Sequence, residues 1–305
     1  MWSLVECVWR YIRYIGLNIC IILLEPVFDA SRMRGERMPS IRLHHQVCAF
    51  IDVLGGAKLF RGKDRQRAQE FFFCLEVFEQ RMNGWSGHFP KKRQTRALVK
   101  TFSDNIFVAF PLRSNPKLTN EQVVAMFLTE LTDQIAHLTL MSGFPLRGAV
   151  TVGPLMFSEK FLFGPALVEA VELEKAAVFP RIMLSKSVLR HITPDSPYQS
   201  LVLRDADGSA FLDYLGRKVL IPSAIKWHRE FVQKGLAENA SRVRERQKYE
   251  WLAQYHNFHA MKVGMLDQCV SIDHGIAFEP YGDEVDVISL LKQRREMSAT
   301  GRSRE

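Results

Sequence analysis

Ala49-Phe50-Ile51-Asp52-Val53-Leu54-Gly55-Gly56 is the stretch on which the fold and the chemistry both turn. Gln46–Val53 is an apolar run of the length and composition of a buried strand, and Leu54-Gly55-Gly56 then turns the chain. Asp52 interrupts the run. A carboxylate in an apolar strand is costly unless it is paired or bound to a metal, so Asp52 is the first candidate functional residue.

Working outward, Arg65–Arg81 carries Ala68, Phe72, Leu75 and Phe78 at helical spacing, and Asn83–Arg93 reads as a polar connection. Arg96–Phe102 and Asn105–Phe110 are strand-like runs separated only by Ser103-Asp104, which predicts a tight hairpin. Asn120–Met141 is a long amphipathic helix with Val124, Phe127, Leu128, Leu131 and Ile135 on one face. Leu146–Val152 returns to strand, Phe161–Phe163 is a short apolar approach, Ala166–Ala177 is helical and Arg181–Ser185 is a strand. The order is a βαββαβ core with one further helix and strand, an α+β sheet with packed helices. Strands around the turn Asp207-Gly208 follow in Leu201–Leu220, and Ser223–Met265 predicts one or two long helices, a C-terminal helical extension.

The chain of 305 residues divides on this reading into an N-terminal extension (1–40), a catalytic domain (41–222), the helical extension (223–292) and a disordered basic tail (293–305). Tyr14–Leu24 is an eleven-residue apolar run behind Arg10 and Arg13, short of the roughly twenty residues a spanning helix needs. Three readings of it stay open: a membrane contact through residues 1–24, a docking helix, or a translated leader upstream of a start at Met33 or Met38. The five cysteines are odd in number, widely spaced and without a CxxC pair, which argues against a disulfide framework or a zinc site and for reduced thiols in the cytoplasm. The formal charge of +8 brings no recognition module with it, so no nucleic-acid partner is expected. P-loop, GxSxG and GxGxxG motifs are absent, and His256 and His259, spaced i, i+3 without an HExxH pattern, read as surface helix.

In a βαββ arrangement the first strand and the following hairpin lie side by side, so Asp52 at a strand end and Asp104 at a hairpin tip can meet. Hard oxygen ligands without His or Cys suit Mg²⁺ or Mn²⁺ and a phosphate substrate. Arg96, Leu98, Lys100 and Phe102 share a strand face by period two. Arg96 and Lys100 are candidates to contact triphosphate or base, the alternative for Lys100 being a solvated edge. Arg147 either binds phosphate or pairs with Glu169 or Glu174. Phe50 either packs on a base or ribose or belongs to the core.

Four segments in order give a resemblance to a known family. Phe50–Gly55 resembles the first metal-binding strand of class III nucleotidyl cyclases, and Lys100–Phe110 is similar to the second metal segment, in which Gly-Asp usually stands where Ser103-Asp104 stands here. Leu146–Gly153 is similar to the central strand, and Gly164–Glu174 to the late helix of pattern Gly-x-x-Val-Asn-x-Ala-x-Arg-Leu-Glu. The resemblance implies two divalent ions held by Asp52, Asp104 and the backbone carbonyl of Val53. It also implies cyclisation of a nucleoside triphosphate with loss of pyrophosphate. Departures are informative: Val168 and Glu172 replace the transition-state Asn and Arg, and Phe161 stands where adenylate cyclases carry a base-reading Asp. That pattern resembles the bacterial pyrimidine cyclases of Pycsar antiphage defence. It implies UTP, with CTP second, as substrate, Mn²⁺ as the metal, a homodimer, and a downstream effector that senses the cyclic nucleotide. The rival readings are a catalytically inactive nucleotide- or partner-binding module and a purine cyclase, the latter favoured only by Lys100.

Overall fold

The computed structural model describes residues 42–56, 59, 62, 65–86, 97–113, 115–158, 161–192, 198–218, 221–272 and 278–280. The N-terminal run, Arg96, Lys91-Lys92-Arg93 and the tail 293–305 lie outside the described residues. Those described belong to one compact unit, Arg42–Glu305.

Strand β1 (His44–Val53) is followed by helix α1 (Arg65–Ser86) and the hairpin β2 (Leu98–Phe102) and β3 (Asn105–Pro111). Then come α2 (Asn120–Ser142), β4 (Leu146–Phe157), β5 (Leu162–Phe163), α3 (Pro165–Ala176), β6 (Ile182–Leu184) and α4 (Lys186–Leu189). The chain continues through β7 (Val202–Arg204), β8 (Ala210–Leu212), α5 (Pro222–Glu238), α6 (Val243–Lys262) and β9 (Glu279–Pro280). The fold is α+β. Its sheet runs β2-β3-β1-β4-β6-β8-β7-β9, with β5 on β4 and the β4–β6 pair parallel.

Alternation sorts the central strands into two faces. Val47, Ala49, Ile51 and Val53 of β1 join Ile106, Val108 and Phe110 of β3 and Leu146 and Val150 of β4 in the main core. There they meet Phe71, Leu75 and Phe78 of α1, Phe127, Leu128 and Leu131 of α2, Ile225 and Val232 of α5, and Trp251, Leu252 and Tyr255 of α6. The opposite face carries Cys48, Phe50 and Asp52, with Phe107 and Ala109 of β3 beside them. Among the described residues α3 covers it through Ala166 and Ala170, with Leu155 of β4 beside them.

Three local expectations are corrected. On α1 it is Phe71 that points inward, 1% exposed, while Phe72 is 53% exposed; Phe71, Cys74, Leu75, Phe78 and Met82 form the buried stripe. The same helix runs on to Ser86, so Asn83 belongs to it and not to the connection. Strand β4 passes through Gly153-Pro154 to Phe157, with Pro154 opposite His45, where β1 begins.

Candidate active site

The site forms at the C-terminal end of β1. Its register sets Asp52 opposite Asn105 of β3 on one side and opposite Arg147 of β4 on the other. The hairpin turn next to Asn105 then brings Asp104 to the same corner. The backbone N–H of Val53 donates to the carbonyl of Asp104 at 2.9 Å, fixing the turn to the strand end. Ser103 has a φ of 55°, a left-handed conformation at the first central position of a two-residue turn, where glycine is favoured. Helical chain resumes at Gly56, whose missing side chain matters: a Cβ there would lie 2.4 Å from the Cβ of Asp104. Gly55, with φ at 91°, makes the preceding turn.

Asp52 is half-buried, and its Oδ2 accepts from Nη2 of Arg147 at 3.1 Å. The same Nη2 stands 2.5 Å from Oε1 of Glu174, which α3 brings over the sheet and buries. So of the two carboxylates proposed from sequence as partners for Arg147, it pairs with Glu174, and it also pairs with Asp52. Burial raises the pKa of Asp52, Arg147 pulls it back down, and the negative charge of Asp104 pushes it up again. Glu174 follows the same logic: burial raises it, Arg147 lowers it and Asp52 raises it. Asp104 is half-buried, and its Oδ1 accepts from Oγ of Ser103 at 2.9 Å and from Nδ2 of Asn105 at 3.4 Å.

Two carboxylates, Asp52 and Glu174, therefore share one guanidinium, and Asp104 adds a third negative charge beside them. The surplus of negative charge, partly desolvated and made of hard oxygens, suits a divalent cation. Oδ1 of Asp52 accepts no hydrogen bond from a described residue, so it is open to a ligand while Oδ2 holds Arg147. No group of three or more His, Cys, Asp or Glu side chains suited to a metal occurs among the described residues. A carboxylate pair supplemented by backbone and substrate oxygens is what the corner offers.

The other sequence candidates spread along the same face. Lys100 lies opposite Phe107, with its Nζ 5.5 Å from the centroid of the Phe157 ring. Phe50 is buried in the small cluster under α3, with its ring 6.3 Å from that of Phe102. Phe161 is exposed, as is Glu172, while Val168 is half-buried. Cys48 is buried two residues before Phe50; burial pushes its thiol up to about 12, so it packs as an inert side chain. Glu174 and Gly56 were not singled out as site residues from sequence. Glu174 had a signal, being a carboxylate one turn past a buried alanine, Ala170, on the helix that caps the sheet.

No family model and no curated protein matches the chain. Among solved structures, it aligns with the catalytic core of a rhodopsin-guanylyl cyclase with converted specificity in complex with ATPalphaS, at 12% identity and a TM-score of 0.42, covering 56% of this chain and 96% of that one. Two structures of bacterial light-regulated adenylyl cyclases align at 13% and 14% identity with TM-scores of 0.38 and 0.35, over 63% and 58% of their length. Alignments this loose do not bear on the chemistry, which rests on the residues themselves.

Proposed function

We propose that the chain is a nucleotide cyclase that closes a nucleoside triphosphate into its 3′,5′-cyclic monophosphate and releases pyrophosphate. The observation that carries this reading is the convergence of Asp52 and Asp104 at one corner of the sheet, with more negative charge than Arg147 can neutralise. In it, Asp52, Asp104 and the backbone carbonyl of Val53 would hold two divalent ions, Mn²⁺ or Mg²⁺. Such ions supply an acidified ribose 3′-hydroxyl and a neutralised polyphosphate. The 3′-hydroxyl gives its proton to solvent, its oxygen bonds to the α-phosphorus, and the bond from that phosphorus to the α–β bridging oxygen breaks as pyrophosphate leaves. Asp52 and Asp104 fix the geometry of that in-line displacement. Arg147, clamped by Glu174, opposes the rise in the Asp52 pKa that burial causes and aims the carboxylate.

The finer reading is a pyrimidine substrate, UTP before CTP, with the product sensed by a downstream effector in antiphage defence. One feature supports it: Phe161 is an exposed apolar side chain where a purine-reading carboxylate would be needed. A homodimer is part of the reading. Phe102 at 48% and Phe161 at 58% exposure leave apolar surface beside the site for a second copy. No helix among the described residues is long and apolar enough to cross a membrane.

The test is incubation of the purified protein with Mn²⁺ and each of ATP, GTP, CTP and UTP, with cyclic products read by mass spectrometry. Cyclic UMP, or cyclic CMP, is expected. Cyclic AMP or GMP would keep the cyclase and overturn the base assignment. The absence of any cyclic product favours the inactive-module alternative, to which the loss of the Asn and Arg at Val168 and Glu172 points.

A further inference from the structure

The helices α5 and α6 pack in the main core, yet where their hairpin turns they do something else. A cavity of about 270 Å³ opens between that turn and the bend that follows Asp52, lined by Leu54 and Gly55 on one side and by Arg67, Arg242, Glu245, Lys248 and Tyr249 on the other. It begins two residues from the proposed metal ligand. Three of its lining side chains are cationic, from α1, the hairpin turn and α6.

Lys248 is half-buried and forms no salt bridge with a described residue, and its charge reaches Asp52. A half-buried ammonium without a fixed counter-ion is costly on its own and inexpensive beside an anion. Arg242 is the N-terminal cap of α6 and has no side-chain cap bond; it spans the turn to donate Nη2 to the carbonyl of Glu238 at 3.0 Å. The uncapped N-terminus of this twenty-residue helix thus faces the cavity together with the two cations. That end carries a positive dipole and unfilled N–H groups. Two carboxylates, Glu238 and Glu245, also line the cavity, leaving a balance of one positive charge. Glu245 sits in the first turn of α6, where a negative group is favoured, and Glu238 is engaged 3.9 Å from Lys234.

We infer that this cavity receives the polyphosphate tail of the substrate, with Lys248 and Arg242 of the helical hairpin gripping the β- and γ-phosphates while Asp52 and Asp104 hold the reacting end. The inference rests on the cyclase reading and gives the C-terminal helices a direct part in binding. The tail of a triphosphate must leave the reacting phosphorus on the side away from the ribose. The Gly55 bend opens that side to a pocket with two cationic side chains, Arg242 and Lys248. Leu54, Leu59, Phe144 and Pro145 line the cavity beside these charged side chains.

The test uses the full-length protein and inorganic tripolyphosphate with Mn²⁺, followed by calorimetry, alongside the cyclisation assay. Lys248→Ala is expected to weaken tripolyphosphate binding about tenfold or more, the loss of one charge-assisted contact. Lys248→Arg should restore most of it, and Lys226→Ala, an exposed lysine on α5, should leave it unchanged. Thermal melting confirms that each variant is folded. Equal affinity of wild type and Lys248→Ala overturns the inference and leaves the cyclase reading standing. Cyclisation by a wild type that does not bind tripolyphosphate also overturns the inference alone. A wild type that neither cyclises nor binds overturns both.

Discussion

Two of the clusters of ionisable side chains among the described residues are built on opposite principles. One joins the segment after β8 to the helical hairpin. There the hydroxyl of Tyr214 lies 2.7 Å from Nε2 of His228, Nδ1 of His228 lies 3.2 Å from Nδ1 of His256, and Nε2 of His256 lies 2.9 Å from the carbonyl of Gln268. A carbonyl can only accept, so Nε2 of His256 carries the proton. Its Nδ1 then accepts from His228, whose Nε2 in turn accepts from Tyr214. Beside this chain, Tyr255 donates to Asp213 at 2.6 Å and His259 stands 2.8 Å from the same carboxylate. Burial pushes Asp213 up, but His259, Tyr255 and the N–H of Gly216 outweigh it and hold its pKa below the usual range. The chain from Tyr214 to Gln268 has one consistent proton order, and the Asp213 carboxylate is matched by donors. The cluster around Asp52 is the reverse: three carboxylates against one paired guanidinium and the more distant Lys248, with an open oxygen. Satisfaction marks a brace, and unsatisfied like charge marks a site.

The sharpest way to break that contrast is to neutralise each cluster in turn. Asp52→Asn should abolish turnover while leaving thermal stability within a few degrees of wild type. Glu174 still holds Arg147, and a half-buried charge has been removed. A folded Asp52→Asn variant with substantial activity would refute the assignment. Asp213→Ala should do the opposite. It strips the partner from buried His259 and Tyr255 at a cost of about 3 kcal/mol, read as a lowered denaturation midpoint, with turnover per folded molecule unchanged.

Smaller effects sharpen the geometry of the site. Glu174→Gln frees Arg147 to engage Asp52 fully, and should weaken divalent-ion affinity about tenfold through its effect on a ligand it does not touch directly. Gly56→Ala forces a methyl group against Asp104 and should produce a loss of similar size, about tenfold. Equal metal affinity in the Gly56 variant would mean that Asp104 does not need its present position. The smallest effect concerns pH. Burial lowers the pKa of His228 well below 6.5 and lowers that of His256. Both imidazoles are therefore neutral in the folded brace, whereas the unfolded chain takes up protons below pH 6.5. Stability should be level above that pH and fall beneath it by about 1.4 kcal/mol per pH unit for each histidine. Chemical denaturation between pH 7.5 and 5.5 measures this, and His256→Gln should flatten the slope.

The sheet was legible in the sequence because its strands alternate or run apolar between glycines. The register that joins Asp52 to Asp104 follows from the two-residue turn at Ser103-Asp104. Phe72 misled because α1 offers a run of three phenylalanines, Phe71, Phe72 and Phe73, and periodicity alone cannot say which one faces inward. His256 and His259 read as surface residues because imidazole is polar. Their burial depends on partners from β8 and α5 that lie far away in sequence, which no local pattern encodes. Glu174 was visible only as a candidate partner, since an ion pair across the sheet depends on how α3 lies over β4. Lys248 and Arg242 carried no signal at all: each is one cation among many, and only the fold brings them beside Gly55.

The most direct test of the central claim is electron paramagnetic resonance of Mn²⁺ titrated into wild type and into Asp52→Asn/Asp104→Asn in the presence of UTP. The account predicts that wild type removes Mn²⁺ from the free-ion signal beyond what UTP alone binds, and that the double variant does not. Equal uptake by the two proteins would contradict it, because the metal would then be held somewhere other than the corner where β1 meets the hairpin.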